Sequence, residues 1–304
     1  MNQEQFPQRL SVAEQLKKYK DDIDDSPVHA VPSAVADSIP KPNAFNQHDF
    51  EKVMSKETDP DLMTTYEVVK LPSKGLFYSN GLSEVNVEYM TSKDEDLLTT
   101  PTLIENGTVL DILLKRKIKS GGVKVEDLLP GDRNAIILFL RTSSYGNEYA
   151  VQVTDPRTGT PFKTKVDLLK LQYKKMTELP DEQGHFSVFL PMRKKNAKIR
   201  LLTSGEDSMI FKKAEALKEA YGENYSQYST LKLKAHVVSI EDNFDRIYID
   251  KFIDAMPALD AFTIRNKILN VSPDVDMLYE FSTSDGYTFN ANLSIGIDFF
   301  FPVS

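Results

Sequence analysis

An α+β protein is expected from this 304-residue chain: two related mixed α/β lobes with β-hairpins, preceded by an extended N-terminal arm. The first observation behind this is a near-repeat. Leu129-Pro130-Gly131-Asp132 leads an apolar helical run, Arg141, a strand and the turn Asp155-Pro156-Arg157-Thr158-Gly159. Met256-Pro257-Ala258-Leu259-Asp260 leads a helical run, Arg265, a strand and the turn Ser282-Thr283-Ser284-Asp285-Gly286. The proline and the turn glycine are 29 residues apart in both (159 − 130; 286 − 257). A second observation lies upstream, where Val87 to Ser92 and Ile199 to Ser204 each run into Thr-Ser followed by acidic residues, a strand end and a helix start. Chance matching of common helix-start and turn signals is the alternative. The third observation is a change of composition near residue 63. Before it, Val31 to Pro42 holds three prolines, few large apolar side chains and no sustained period, too little to offset the entropy of ordering the backbone.

The expected organisation is an arm over 1–63, largely disordered with short docking helices, a first lobe over 64–183 and a second over 184–304. In the arm, Ser11 and Glu14 form a capping-box pattern. Val12, Leu16, Tyr19 and Ile23 then share one helical face at spacings of 4, 3 and 4. Phe50, Val53 and Met54 make a second, shorter apolar side. Helices this short are marginal alone and gain stability in a groove. A partner's groove and the chain's own globular part both suit them.

In the first lobe, Tyr66 to Leu71 is a β-branched and aromatic strand, and Gly75 supplies positive φ for the turn that follows. Val85, Val87 and Tyr89 alternate with polar residues as a second strand. Thr91 with Asp94 opens a short helix. Val109, Ile112, Leu113 and Ile118 mark another, whose basic end at Lys115-Arg116-Lys117 suits the helix dipole and which Ser120-Gly121-Gly122 closes. Pro130 opens the most apolar helix, and Tyr149, Val151 and Val153 alternate into a hairpin. The turn cluster Pro180 to Gly184 marks the boundary. In the second lobe, Phe186 to Leu190 and Lys198 to Leu202 are expected as strands. Ser204 and Asp207 are expected to cap a helix through Ile210, Phe211, Ala214 and Leu217 that Gly222 ends. Leu231 to Ile240 leans to helix. Helices over 245–256 and 258–269 follow, then a hairpin of Met277 to Phe281 with Tyr287 to Leu293. Ile295 to Pro302 is expected as an aromatic strand. Side chains alternate along a strand, so Phe299, Phe300 and Phe301 are either buried on two faces or partly a contact surface.

The absence of cysteine excludes disulfides, thiolate metal sites and a Cys nucleophile. The opening residues hold no apolar run of the signal-peptide kind, and no stretch approaches membrane-spanning length. Net charge is −8, with 12 acidic and 7 basic residues before residue 63, so no broad phosphate-binding surface is expected. The basic run Arg193 to Lys198 reads as a solvated loop, with an acidic partner or nucleic acid as alternatives. The four histidines, His29, His48, His185 and His236, show no metal-ligand spacing, and His236 reads as a core histidine. No nucleotide-binding or nucleophile motif occurs. No catalytic residue, cofactor, metal, small-molecule substrate, nucleic acid or membrane is expected.

A resemblance emerges from the residues taken together. Leu71-Pro72-Ser73-Lys74-Gly75-Leu76-Phe77-Tyr78, followed by Met90-Thr91, Asp94-Glu95 and Leu97, is similar to the opening of the baseplate (hub) proteins of T-even-like contractile-tailed bacteriophages. So are Gly131-Asp132-Arg133 with Arg141 and Ser144 to Tyr149, and Met256-Pro257-Ala258 with Asp260, Arg265 and the closing Phe299-Phe300-Phe301-Pro302. The resemblance spans Tyr66 to Pro302. It implies a structural or assembly component of a contractile tail baseplate, placed in the virion after assembly in the host cytoplasm and binding other tail proteins. It leaves out the arm, whose two apolar segments, with Phe299 to Phe301, are the partner contacts expected from the residues themselves. A transient assembly chaperone and a non-phage cytoplasmic adaptor are the alternatives. The resembled family often carries Cys-x-x-Cys pairs in both hairpins. Here those positions hold Asp155 with Thr158 and Ser282 with Asp285, hard oxygen donors poorly suited to zinc. Turn chemistry is therefore expected to hold the hairpins without a metal.

Overall fold

The chain divides into two units, residues 1–62 and 63–304. A computed structural model describes residues 65–119, 123–222 and 227–301, all in the second unit. Val12, Leu16, Tyr19, Ile23, Phe50, Val53 and Met54 lie outside the described residues, as do Ser120 to Gly122 and Pro302.

Strands β1 (Tyr66–Lys70) and β2 (Glu84–Glu88) pair antiparallel, Tyr66 opposite Glu88 and Lys70 opposite Glu84. Gly75 turns the loop between them at φ +80°, and a Cβ there would lie 2.5 Å from the Gly81 carbonyl oxygen. Helices α1 (Ser92–Leu98), α2 (Pro101–Glu105), α3 (Val109–Lys117) and α4 (Pro130–Tyr145) follow. Proline at the first helical position of α4 costs no hydrogen bond. Strands β3 (Glu148–Thr154) and β4 (Pro161–Asp167) form the first long hairpin.

The same grammar returns. Strands β5 (His185–Leu190) and β6 (Lys195–Arg200) pair, followed by α5 (Ser204–Tyr221) and α6 (Tyr228–His236). Strand β7 (Val237–Ile240) joins β6 as a third strand. Helices α7 (Arg246–Asp254) and α8 (Ala258–Val271) lead to the hairpin of β8 (Leu278–Ser282) and β9 (Thr288–Asn292). A 3-10 turn, Ile297–Phe300, closes the described chain.

Two hydrophobic clusters form. One gathers Leu71, Val87, Leu98, Leu113, Ile136 and Leu140 with Phe281, Phe299 and Phe300. The other gathers Phe186, Leu190, Ile199, Val237, Ile249 and Ile264. Each such side chain removed from water stabilises the fold by about 1.5–3 kcal/mol. The β8–β9 hairpin and the final turn follow the second cluster in sequence yet pack in the first. The chain therefore returns to where it began.

Four local expectations are corrected. Among the described residues, those from Ile295 to Phe301 form no strand. A 3-10 turn instead lets the consecutive Phe299 and Phe300 both reach the core, which strand alternation forbids. Helix α5 is capped by Thr203, whose extended backbone (φ −74°, ψ 164°) lets its hydroxyl accept the Glu206 N–H at 3.2 Å, and not by Ser204, already helical. Strand β6 starts at Lys195, earlier than expected, because a four-residue turn suffices after β5. The segment 231–240 splits at His236, where the β-branched Val237-Val238 leaves the helix to pair with β6.

Candidate functional site

Helix starts in both halves hold a hairpin turn through a buried aspartate. At the end of β1, Leu71-Pro72-Ser73 begins a turn, and the Ser73 N–H donates to Asp132 Oδ1 at 2.9 Å. Tyr78 adds its hydroxyl to Asp132 Oδ2 at 2.6 Å. At the end of β5, Leu190-Pro191-Met192 begins a turn, and the Met192 and Arg193 N–H groups donate to Asp260 Oδ1 and Oδ2 at 2.8 and 3.0 Å. Both aspartates are fully buried in the first turns of α4 and α8, where the helix dipole favours a negative charge. Lys74 and Lys194 both take left-handed backbone, at φ 53° and 51°. Four residues past each aspartate, Ile136 and Ile264 are both fully buried. Burial pushes the Asp132 carboxyl above the usual carboxylate range despite the bonds from Ser73 and Tyr78. Burial, then the neighbouring Asp132 charge, pushes the Tyr78 phenol up in turn.

The paired Leu-Pro-x turn was the signal available in the sequence for this clamp. Spacing had drawn attention to Arg141 and Arg265 instead, and the two differ. Arg141 is buried and donates to the carbonyls of Phe299 (2.7 Å), Gly146 (2.9 Å) and Glu148 (3.2 Å), fastening the C-terminal turn to α4. Arg265 is exposed.

The two hairpin tips meet through Arg157. Its Nη2 lies 2.9 Å from Asp285 Oδ2 and 3.1 Å from Asp155 Oδ2, and its guanidinium stands 3.9 Å from the Tyr287 ring centre. The Arg157 bonds hold Asp155 below the usual carboxylate range, and the Thr283 hydroxyl, then Arg157, do so for Asp285. A cationic side chain thus stands between two of the four positions singled out for cysteine. Thr158 Oγ1 caps its own turn, accepting from the Thr160 N–H at 3.2 Å. Among the described residues, no group of three or more His, Asp or Glu is placed to hold a metal.

Under α1, Asp94 and Lys117 form a buried pair, Nζ to Oδ2 2.6 Å, with Lys117 also donating to the Tyr89 carbonyl at 2.9 Å. Burial opposes the Asp94 charge, but Lys117 and the Thr91 N–H and hydroxyl outweigh it and hold the carboxyl below its ordinary range. Asp94 opens its helix and Lys117 sits at the basic end of α3, as the sequence implies, and the structure gives them this tertiary bond as well.

A cavity of about 500 Å³ is lined by Leu129, Leu201, Leu233 and Ile268 among others. Three of its polar groups are engaged, whereas Arg265 lines it without an ion pair and the buried His236 Nε2 has no hydrogen-bond partner among the described residues. Lys232 pairs with Asp207 at 2.7 Å, Tyr228 donates to Asp207 at 3.0 Å, and His236 Nδ1 lies 2.7 Å from the Arg200 carbonyl oxygen. A carbonyl only accepts, so His236 carries its proton on Nδ1. Burial pushes the imidazole down, towards the neutral form. His236 is a core histidine, as expected.

Of the partner residues expected at the C-terminus, Phe299 and Phe300 are fully buried, and Phe301 is 37% exposed. Of the three, Phe301 alone presents its ring to solvent. Among the described residues, no helix is long and apolar enough to cross a membrane.

A family model described as T4 bacteriophage base plate protein matches residues 63–282. The chain belongs to that family. The match covers both clamps, the Asp94–Lys117 pair and the first hairpin of this baseplate protein. No curated protein and no solved structure matches the chain.

Proposed function

We propose that this baseplate protein is a resident subunit of a contractile phage tail, acting by binding other tail proteins and carrying no reaction centre. The family match over residues 63–282 carries the reading. The site chemistry supports it. Asp132, Asp260, Lys117 and Arg141 spend their charges on holding turns, helices and the C-terminus, and in the cavity Lys232 and Tyr228 are both bonded to Asp207. The segments 64–183 and 184–304 are proposed as two copies of one unit, on the strength of the repeated clamp, with the last hairpin and closing turn of the second packed in the core of the first. The arm residues Val12, Leu16, Tyr19, Ile23, Phe50, Val53 and Met54, with Phe301, are proposed as contacts with neighbouring subunits, by the helix-in-groove mode for the arm. Assembly takes place in the host cytoplasm.

Quantitative peptide mass spectrometry of purified, salt-washed particles tests residency. Peptides of this chain at a fixed ratio to other baseplate proteins are expected. Abundant peptides in infected cells with none in finished particles would make it an assembly chaperone instead.

A further inference from the structure

Aligning the lobes on their clamping aspartates exposes a difference. In the first lobe, the residue before Asp132 is Gly131, and the residue two beyond is Asn134. That face of α4 is covered from within the chain. Gly131 packs so closely on the segment after α8 that a Cβ would lie 2.0 Å from the Pro273 carbonyl oxygen. Asn134 Nδ2 donates to Asp274 Oδ1 at 3.0 Å. At the same places in the second lobe stand Leu259 and Phe262, 49% and 53% exposed. Beside them the clamp fixes Met192, 60% exposed, since its N–H is bonded to Asp260. A face covered in one copy is apolar and open in the other.

Its charge says what would cover it. Arg193 and Lys194 are exposed on the same turn, and Arg265 stands one helical turn past Phe262. Among the described residues none of these three cations makes an ion pair. The acids of the segment from the end of β7 through α7 are already engaged: Glu241 with the Asn196 N–H, Asp242 with Lys198 at 3.1 Å, Asp254 with Lys234 at 2.7 Å, and Asp250 with Arg246. In a chain of net charge −8 this is a local positive excess around an apolar centre. An apolar centre rimmed by one sign of charge suits a protein segment of opposite sign, with the rim steering its approach.

We propose that the second lobe's α8 face and β5–β6 turn form a docking surface for an acidic segment of a neighbouring protein, anchored by apolar side chains on Met192, Leu259 and Phe262. Nucleic acid would use the cations but leave the apolar centre idle. The inference deepens the binding role proposed above and rests on it for the partner's location.

A titration of the purified full-length chain tests the chemistry without any particle. The probe is a labelled 16-residue peptide of glutamates with leucine at every third or fourth position, followed by fluorescence anisotropy. Saturable binding is expected, weakened at least about tenfold by M192E/F262E and by K194E/R265E, the Arg193 guanidinium being left in place because it stands 5.5 Å from the Phe252 ring centre and bonds the Ala255 carbonyl. Both pairs are exposed, and an unchanged melting temperature confirms folding. Absence of binding would overturn the proposal. So would equal binding of a serine-for-leucine peptide or of a 16-nucleotide single strand, which would show a charge surface only. Equal binding of a lysine-for-glutamate peptide would overturn the charge argument. Particle mass spectrometry decides residency separately, so a positive titration with no peptides in the particle would reject the residency and keep the surface.

Discussion

Removing the Asp260 carboxylate, as D260A, should loosen the second lobe at a place no catalytic or cofactor argument would single out. Two backbone N–H groups, of Met192 and Arg193, lose acceptors at 2.8 and 3.0 Å that a fully buried carboxylate had supplied. Hydrogen bonds to a charged group contribute about 1.5–3 kcal/mol each. Part of this is offset because the variant no longer buries a charge, which leaves a net loss of about 3 kcal/mol. For a unit of this size that is a fall in melting temperature of about 6–12 °C. D260N keeps one acceptor but turns an N–H₂ towards the other amide, so about half the loss is expected. Calorimetry reads the melting temperature, and hydrogen exchange over residues 190–195 reads whether the turn itself opens. A D260A protein melting within about 2 °C of the wild type, with the turn still protected, would refute the clamp.

Lys117→Met leaves Asp94 with Arg116 alone, 3.2 Å from its Oδ1, and should cost about 3 kcal/mol, with part recovered in K117M/D94L; urea denaturation of the two variants checks this. Gly131→Ala puts a Cβ 2.0 Å from the Pro273 oxygen and should destabilise by about 3 kcal/mol through overpacking, whereas Leu259→Ala at the matching place should leave the melting temperature nearly unchanged. The neutral, buried His236 makes stability fall as pH drops below 6.5, because the unfolded chain then takes a proton that the fold refuses. His236→Asn should remove that component, so the stability gap between wild type and variant narrows from pH 7 to pH 5. Asp94, held below its ordinary 3.8, keeps its contribution above that value and loses it only as pH falls further, which separates the two windows.

The elements were legible where period and punctuation agreed. Helix α4 announced itself by proline at its start and apolar residues at helical spacing, and the β3–β4 hairpin by strict alternation around a Pro/Gly turn. Misreadings cluster where tertiary bonds override local signals. Phe299 and Phe300 have strand propensity, but Arg141, 158 residues earlier in the chain, takes the Phe299 carbonyl and fixes a 3-10 turn. Val237 and Val238 continue an apolar run, yet β6 offers them a free edge. The near-repeat is legible as a spacing of prolines and glycines, while the two aspartate clamps are not. Asp132 and Ser73 are 59 residues apart, and Asp260 and Met192 are 68 apart, and no local pattern links such pairs. The Leu-Pro-x turns would have pointed to them had they been set beside the aspartates. The docking surface was half legible. The basic run at Arg193 was noticed, but its neighbours Leu259 and Phe262 come beside it only through the Asp260 clamp.

A cryo-electron-microscopy reconstruction of isolated baseplates tests the central claim most directly. This account expects density for the chain among other subunits, with both aspartate clamps closed and the Leu259–Phe262 face covered by a neighbour. Baseplates complete in every other subunit but lacking this density would contradict it.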